Sequence, residues 1–318
     1  MQEHVRITAI VPTYNREATV GRAVDSVLAQ VYPAAEVIVV DDGSQDGTRE
    51  RLQPYRERIR YRYQPNAGVS AARNRGAREA RSEWIAFLDS DDCWLPGHLE
   101  RMAAAIRATR GEAALYFSDM RRGSEEKGVT LWSQCGFDIE PPFELRRHAA
   151  EWVFLPTQPM MFQASVIRRD AYWEVGGLPL HMRTREDTLM FYRLGLRYPC
   201  CAVAGCGTVM MDDGTMRLTE VMDSTSIAFA HATVRFIQRA ALHRQVTRSS
   251  FAQYHQRWTE WRDFLSGPSL LPPWNVSRRG SGPAAVRIDQ SQHVSAMSVS
   301  VVAPTCEIRL GRRPHLAR

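Results

Sequence analysis

Strand and helix signals alternate along roughly the first 120 residues, and this alternation limits the fold more than any other feature of the chain. Val5–Val11 is largely apolar and β-branched, and Pro12 closes it. Val20, Val24, Val27, Leu28 and Val31 then recur at helical spacing. Val37–Val40 is a short apolar strand of the kind buried on both faces. Asp46-Gly-Thr reads as the opening of a second helix with Asp46 as its N-cap. Ile59–Tyr63 reads as a strand, Gly68–Ala80 as a helix of small residues, and Trp84–Leu88 as another buried strand. Leu95, Leu99, Met102 and Ile106 mark a further helix, and Ala113–Phe117 a further strand. Such alternation with short links predicts an α/β fold, a mostly parallel sheet with helices on both faces. Ligands of such sheets bind beyond the carboxyl ends of the strands, so the strand exits are where chemistry is expected.

The rest of the chain is less regular. Residues 120–150 read as a long charged insertion, and a strand and short helix return between Pro156 and Gly177. Thr219–Gln245 reads as a long helix with Ile227, Ala230, Val234, Ile237 and Ala241 on one stripe. A second helix carries Phe251, Tyr254, Trp258, Trp261 and Leu265. After Ser266 the composition turns to Ser, Pro, Gly and Arg, which predicts a poorly ordered tail to Arg318 with a short strand at Val299–Val302.

Composition narrows the class. Of 318 residues, 44% are hydrophobic and 24% charged, ordinary values for a globular protein. The net charge of +6, almost all of the excess from arginine, suits anionic ligands such as diphosphate esters. Basic residues are spread along the chain without a nucleic-acid-binding motif, so nucleic acid is not the expected partner. The six cysteines form no C-x-x-C pair and are expected to be reduced thiols of a cytoplasmic protein. The N-terminus has no signal pattern, and no apolar run reaches the ~18 residues of a membrane span.

Three strand exits carry polar residues. Asp89-Ser90-Asp91-Asp92 sets three carboxylates within four residues. They form either an acidic turn capping the next helix or a site for Mg²⁺ or Mn²⁺, hard cations that take oxygen ligands. Such a cation bridges phosphates and stabilises a departing diphosphate. Asp41-Asp42-Gly43-Ser44 is either an ordinary turn or the acceptor of hydrogen bonds from a nucleobase or ribose. Pro12-Thr13-Tyr14-Asn15-Arg16 offers Tyr14 as a stacking surface.

Four segments in order resemble the donor-domain motifs of glycosyltransferase family 2. They are Val11-Pro-Thr-Tyr-Asn-Arg16, Val37-Ile-Val-Val-Asp-Asp-Gly-Ser-Gln-Asp-Gly-Thr48, Asn66-Ala-Gly-Val-Ser-Ala-Ala-Arg-Asn-Arg-Gly76 and Phe87-Leu-Asp-Ser-Asp-Asp92. The resemblance covers residues 4–120 closely and 155–210 loosely. It implies a GT-A-like, Rossmann-type sheet flanked by helices over residues 1–215, with donor-binding (1–120) and acceptor or catalytic (121–215) halves. A C-terminal helical extension would follow over 216–265 and the tail over 266–318. The implied activity is inverting, metal-dependent transfer of a hexose or amino sugar in polysaccharide or glycolipid assembly. The implied donor is a nucleotide-sugar, a UDP-sugar above all, and the acceptor a saccharide or a lipid-linked group.

By the same resemblance Pro12 and Tyr14 line the nucleoside pocket, Asp42 contacts the base, and Arg73 and Asn74 approach the donor. Asp89 and Asp91 form the DxD-type pair for metal and diphosphate, with Asp92 beside them. The family's Glu-Asp pair after a Gly-Gly turn corresponds to Glu186-Asp187 after Val175-Gly-Gly-Leu178. Asp187 is then the base that takes the acceptor proton, and Glu186 its partner. Without the resemblance, Glu-Asp before an apolar run also reads as a helix start.

The chain departs from the family pattern at Thr208–Leu218, which carries Asp212, Asp213 and Arg217 where relatives carry a basic or histidine-containing stretch. Arg183 and Arg185 are either surface charge or a grip on an anionic acceptor. The Phe251–Trp261 stripe either packs on the protein or makes a peripheral contact at the inner face of the membrane. The competing functional reading is a nucleotide-sugar-binding protein of the same fold without turnover. Phosphoryl transfer by Asp89 and Asp91 is disfavoured, because it leaves the other strand exits without a role.

Overall fold

The structure, a computed structural model, describes residues 4–123, 129–155, 157–182 and 185–211. The expected helices at 219–265, the tail, and Asp212, Asp213, Arg217 and Arg183 lie outside the described residues.

The strands are β1 (Ile7–Thr13), β2 (Glu36–Asp41), β3 (Arg60–Tyr63), β4 (Trp84–Phe87), β5 (Cys93–Trp94), β6 (Leu115–Arg122), β7 (Phe143–Arg146), β8 (Ser165–Arg168) and β9 (Cys200–Met210). The helices are α1 (Val20–Leu28), α2 (Thr48–Leu52), α3 (Val69–Glu79), α4 (His98–Ala108), α5 (Leu131–Cys135), α6 (Ala150–Val153), α7 (Arg169–Glu174) and α8 (Glu186–Arg197). Among the described residues all nine strands join one sheet, in the order β3-β2-β1-β4-β8-β6-β9-β5, with β7 also paired to β9.

The first four strands are parallel, as the strand–helix alternation predicts. β8 runs antiparallel to both β4 and β6, and β9 runs parallel to β6. β1–β4, β6 and β9 therefore share one direction, but four of the eight strand pairings are parallel and four antiparallel, so the sheet is mixed rather than mostly parallel because β8 inserts between β4 and β6. β5 and β7 are antiparallel additions along β9. β7 lies within the stretch expected to be a charged insertion, so that stretch contributes an edge strand to the sheet.

Side chains on successive strand positions face opposite sides of the sheet, and the core divides accordingly. Ile10, Ile38, Val40, Ile85 and Phe87 pack with Ala72 and Ala77 of α3. Val11, Val37, Val39 and Ala86 pack with Val20, Val24 and Val27 of α1 and with Leu99, Met102 and Ile106 of α4. Each fully buried side chain of this size contributes about 1.5–3 kcal/mol. α3 lies close against β1 because Gly76 carries no side chain; a Cβ there would overlap Ile10.

Two helix boundaries differ from the sequence reading. α1 stops at Leu28 and leaves Val31 exposed. α2 begins at Thr48 with Gly47 at its cap, and Asp46 instead accepts from Thr48 N (3.0 Å) and Thr48 Oγ1 (2.5 Å).

β9 gains three residues over β6 between Val203 and Thr208, around Gly205 with its φ of 95°. Gly207 in this bulge faces His98 and Ser118, and a Cβ would overlap Nδ1 of the one and Oγ of the other. His98 is fully buried, and burial pushes its pKa down to about 3, so the ring is neutral. Gly207→Ala is therefore expected to destabilise the fold by about 1–3 kcal/mol through overpacking. A melting temperature equal to the parent's would show that this contact relaxes freely.

Candidate active site

The exits of β1 and β2 are laced together. Asn15 takes a φ of 49°, its N–H donates to Ser44 Oγ (3.0 Å) and its Oδ1 accepts from Gln45 N (2.8 Å). Arg16 N donates to Thr48 Oγ1 (2.8 Å), and Gly47 N donates to Glu17 Oε2 (2.8 Å). These bonds fix the strand exits and leave Tyr14 exposed (42%). Pro12 lies inside β1, buried opposite Val40.

The two aspartates ending β2 are both buried and both engaged. Asp41 accepts from Ser44 N (2.8 Å) and from the Tyr61 hydroxyl (2.6 Å). Burial and the adjacent Asp41 carboxylate push the Tyr61 pKa upward, so the phenol stays a donor. Asp42 accepts from Gln64 Nε2 (2.6 Å), Ala67 N (3.0 Å) and Gly68 N (2.7 Å). Its carboxylate thus holds the 64–68 loop and the entry into α3, whose preceding Gly68 has a φ of 91°.

The acidic turn after β4 splits by role. Asp92 is fully buried; it accepts from Gln163 Nε2 (3.0 Å) and Met211 N (3.2 Å), which ties the turn to the end of β9. Asp91 Oδ2 lies 3.6 Å from Arg16, and its carbonyl accepts from Arg22 (3.0 Å). Asp89 has the most open of the three carboxylates, with 28% of its side chain exposed, and its Oδ1 accepts from Arg73 (2.6 Å).

Asp89 and Asp91 fit a hard divalent cation. They are two carboxylates at one strand exit, Asp89 is partly open, and Mg²⁺ typically takes one or two carboxylates together with substrate phosphates. Among the described residues there is no cluster of three or more His, Cys, Asp or Glu side chains suited to holding a metal alone. The five described cysteines are free thiols.

The second half of the site comes from α7 and α8. The Gly176-Gly177 turn, with φ of 95° and 63°, reverses the chain after α7. Arg193 holds it from α8, donating to the carbonyls of Val175 (3.2 Å) and Gly177 (3.2 Å). Asn74 of α3 holds it from the other side. Its Oδ1 accepts from Leu178 N (3.0 Å) and the Tyr172 hydroxyl (2.6 Å), and its Nδ2 donates to Leu178 O (2.8 Å).

α8 opens with Glu186 and Asp187, carboxylates placed where the helix dipole favours them. Glu186 Oε1 accepts from Arg73 (2.6 Å). Burial, and then the neighbouring Asp187, push the Glu186 carboxyl up to about 7, and the Arg73 charge opposes them. Asp187 is half-buried and accepts from Thr188 N (2.6 Å).

Arg73 therefore touches both carboxylate sets, Asp89 from the β4 exit and Glu186 from α8. Burial alone would lower its pKa, but the two carboxylates raise it, so the guanidinium stays charged. Sequence reading found both acidic sets but not this link, because Arg73 and Glu186 are 113 residues apart. The anchoring roles of Gln163 and Tyr172 carried no local signal either. Among the described residues no helix is long and apolar enough to cross a membrane.

Comparison with known proteins agrees with this architecture. The family model for glycosyl transferase family 2 matches residues 8–176, just over half of the chain, ending short of Glu186. An uncharacterized glycosyltransferase of Nostoc sp. is 28% identical over 211 residues, covering 60% of this chain and 65% of the relative. The putative teichuronic acid biosynthesis glycosyltransferase TuaG of Bacillus subtilis is 43% identical over 99 residues, covering 30% and 39%. The succinoglycan biosynthesis protein ExoW of Rhizobium meliloti is 38% identical over 205 residues, covering 58% and 62%. The chain thus spans between 39% and 65% of the length of these three relatives. Among solved structures, Staphylococcus aureus TarS 1-349 in complex with UDP-GlcNAc superposes with a TM-score of 0.65 at 19% identity, covering 84% of this chain and 77% of TarS 1-349. That likeness is one of fold, the GT-A architecture. Motif order, sheet topology and the family match lead to one conclusion: this chain belongs to glycosyl transferase family 2.

Proposed function

We propose that the chain is an inverting, divalent-metal-dependent glycosyltransferase. It would move a sugar from a nucleotide-diphosphate donor, a UDP-sugar, to a saccharide or lipid-linked hydroxyl in polysaccharide or glycolipid assembly. The observation that carries this reading is that the buried Arg73 pairs with Asp89 of the β4 exit and with Glu186 of α8, which brings the two acidic segments to one cation. The TuaG and ExoW relatives, named for teichuronic acid and succinoglycan biosynthesis, support a role in polysaccharide assembly. The UDP-GlcNAc complex of TarS supports a uridine donor.

In this reading Tyr14 stacks on the base, with Pro12 and Asp42 shaping the floor and rim of the nucleoside pocket. Asp89 and Asp91 would hold Mg²⁺ or Mn²⁺, and Asp92 braces their turn from behind. The cation would neutralise charge on the leaving diphosphate. Asp187 accepts the proton of the acceptor hydroxyl as its oxygen bonds to the anomeric carbon. The bond from that carbon to the diphosphate breaks on the opposite face, and the configuration inverts. Glu186, buried beside Asp187, orients it. Peripheral attachment at the inner face of the membrane accompanies this proposal where the acceptor is lipid-linked.

Calorimetric titration with UDP, and with GDP in parallel, tests the donor site. With Mn²⁺ present UDP is expected to bind at least about tenfold more tightly than GDP, a difference of about 1.4 kcal/mol, and EDTA is expected to weaken UDP binding. UDP binding indifferent to EDTA would remove the metal from the proposal. No binding of either nucleotide, with or without metal, would remove the donor site itself.

A further inference from the structure

We infer that Arg73 and Asn74 act as a positioning clamp, one guanidinium and one amide on α3, that sets the base-bearing start of α8 against the donor-side Asp89. This rests on the proposed transferase reading for its functional meaning, although the clamp itself is a matter of geometry. The family resemblance points these two residues at the donor, but both terminal nitrogens of Arg73 and the amide of Asn74 are engaged elsewhere, and Arg73 Nε is buried without a hydrogen-bond partner. Arg73 has 6% of its side chain exposed and spends one terminal nitrogen on Asp89 and the other on Glu186, each at 2.6 Å. Its planar cation also lies 5.2 Å from the centre of the Phe162 ring. The Glu186 side chain is 8% exposed, so this contact is shielded from water on both sides.

Asn74, the next residue, spends its carbonyl oxygen and one amide hydrogen on Leu178 and Tyr172. A Cβ on Gly177 would come 3.1 Å from Asn74 Oδ1, so the turn fits closely against the amide. Two adjacent side chains thus hold both ends of the segment that leads from the Gly-Gly turn to the proposed base. α3 can act as the fixed jaw because Gly76 seats it on β1, and Asp42 anchors its entry. Arginine suits the post because its fork offers separate N–H groups to two carboxylates, whereas lysine presents one ammonium point. A donor-side and a base-side carboxylate held by one cation keep a constant separation, which matters because small misplacements of reacting groups are costly in rate.

The test compares Arg73→Gln, Arg73→Lys, Glu186→Gln and the Arg73→Gln/Glu186→Gln double variant of the full chain. Three quantities are read: UDP affinity with Mn²⁺, the rate of UDP release from a panel of UDP-sugars with water as acceptor, and hydrogen exchange of backbone amides. A clamp predicts that Arg73→Gln lowers kcat for UDP release by about 100-fold, the cost of a small misplacement. The UDP dissociation constant is expected to change by less than about threefold, and Arg73→Lys to recover part of the rate. The double variant is expected to be no slower than Glu186→Gln alone, since residues acting through one another are not additive. Amide exchange is expected to rise at Leu178 and in the first turn of α8, while the β1 and β2 exits stay protected.

A UDP affinity that falls as far as the rate would place Arg73 on the donor and overturn the clamp. Multiplicative effects of the two single changes would overturn it as well. If Arg73→Gln fails to fold, Asn74→Ala decides by the same exchange readout, with unchanged protection at Leu178 and α8 counting against the clamp. A wild-type chain that releases no UDP from any donor would defeat the transferase reading alone, because the exchange measurement still decides the clamp.

Discussion

Replacing Asp187 with asparagine is expected to lower sugar transfer by about 10²- to 10⁴-fold, the usual contribution of a positioned general base. Asparagine has the shape of aspartate, and its carbonyl oxygen can still accept the N–H of Thr188, so the start of α8 keeps its local bond. What it loses is the proton-accepting carboxylate on which the proposed base role rests. Asp187 is half-buried beside the deeply buried Glu186, so its carboxylate is not sealed from solvent, as the proposed base role requires. UDP affinity is expected to stay within about threefold, since a group that acts only in the transition state adds nothing to binding of the nucleotide. Turnover at the parental rate in this variant would sink the base assignment, and Glu186→Gln would then become the next substitution to measure.

The largest expected effect on stability is that of Asp42→Ala. The change deletes the acceptor of three hydrogen bonds, from Gln64, Ala67 N and Gly68 N. Bonds to an ionised acceptor are stronger than neutral ones. Ala67 and Gly68 are exposed, so water replaces part of the loss. The net cost is expected to be roughly 2–3 kcal/mol. That corresponds to a fall of about 4–12 °C in melting temperature for a domain of this size. The 64–68 loop also leads into α3, so the same change is expected to weaken UDP binding through the misplaced loop. A variant that melts with the parent yet loses UDP would instead give Asp42 a direct contact with the base and a dispensable role in the loop.

Legibility in the sequence followed the range of the interaction. β1 to β4 and the helices between them were readable because each carries its own periodicity, and short links between alternating elements allow few topologies. The polar strand exits were readable for the same reason, since the acids at 41–42 and 89–92 stand directly behind apolar runs. β5 and β7 were not, because β5 has two residues and β7, Phe-Glu-Leu-Arg, alternates apolar and charged residues inside a charged stretch without an apolar run. β9 escaped notice although it has 11 residues, because the bulge around Gly205 breaks its alternation and its small residues carry little pattern. The direction of β8 has no local signature at all, since an antiparallel strand and a parallel one use the same residues.

The α/β class, the order of the first strands and helices, and the family are all legible in the amino-acid sequence alone. All of these rest on contacts and patterns within a few residues of one another. Which bonds the individual acids make was set by the tertiary fold. It turned Asp92 inward onto Gln163 and Met211, closed Asp42 over its own loop, and left Asp89 partly open. It also brought Glu186 to Arg73 across 113 residues. A carboxylate's role depends on whether its lone pairs are already filled and how far it stands from water. Both are set by segments distant in the chain, so no local run of residues encodes them.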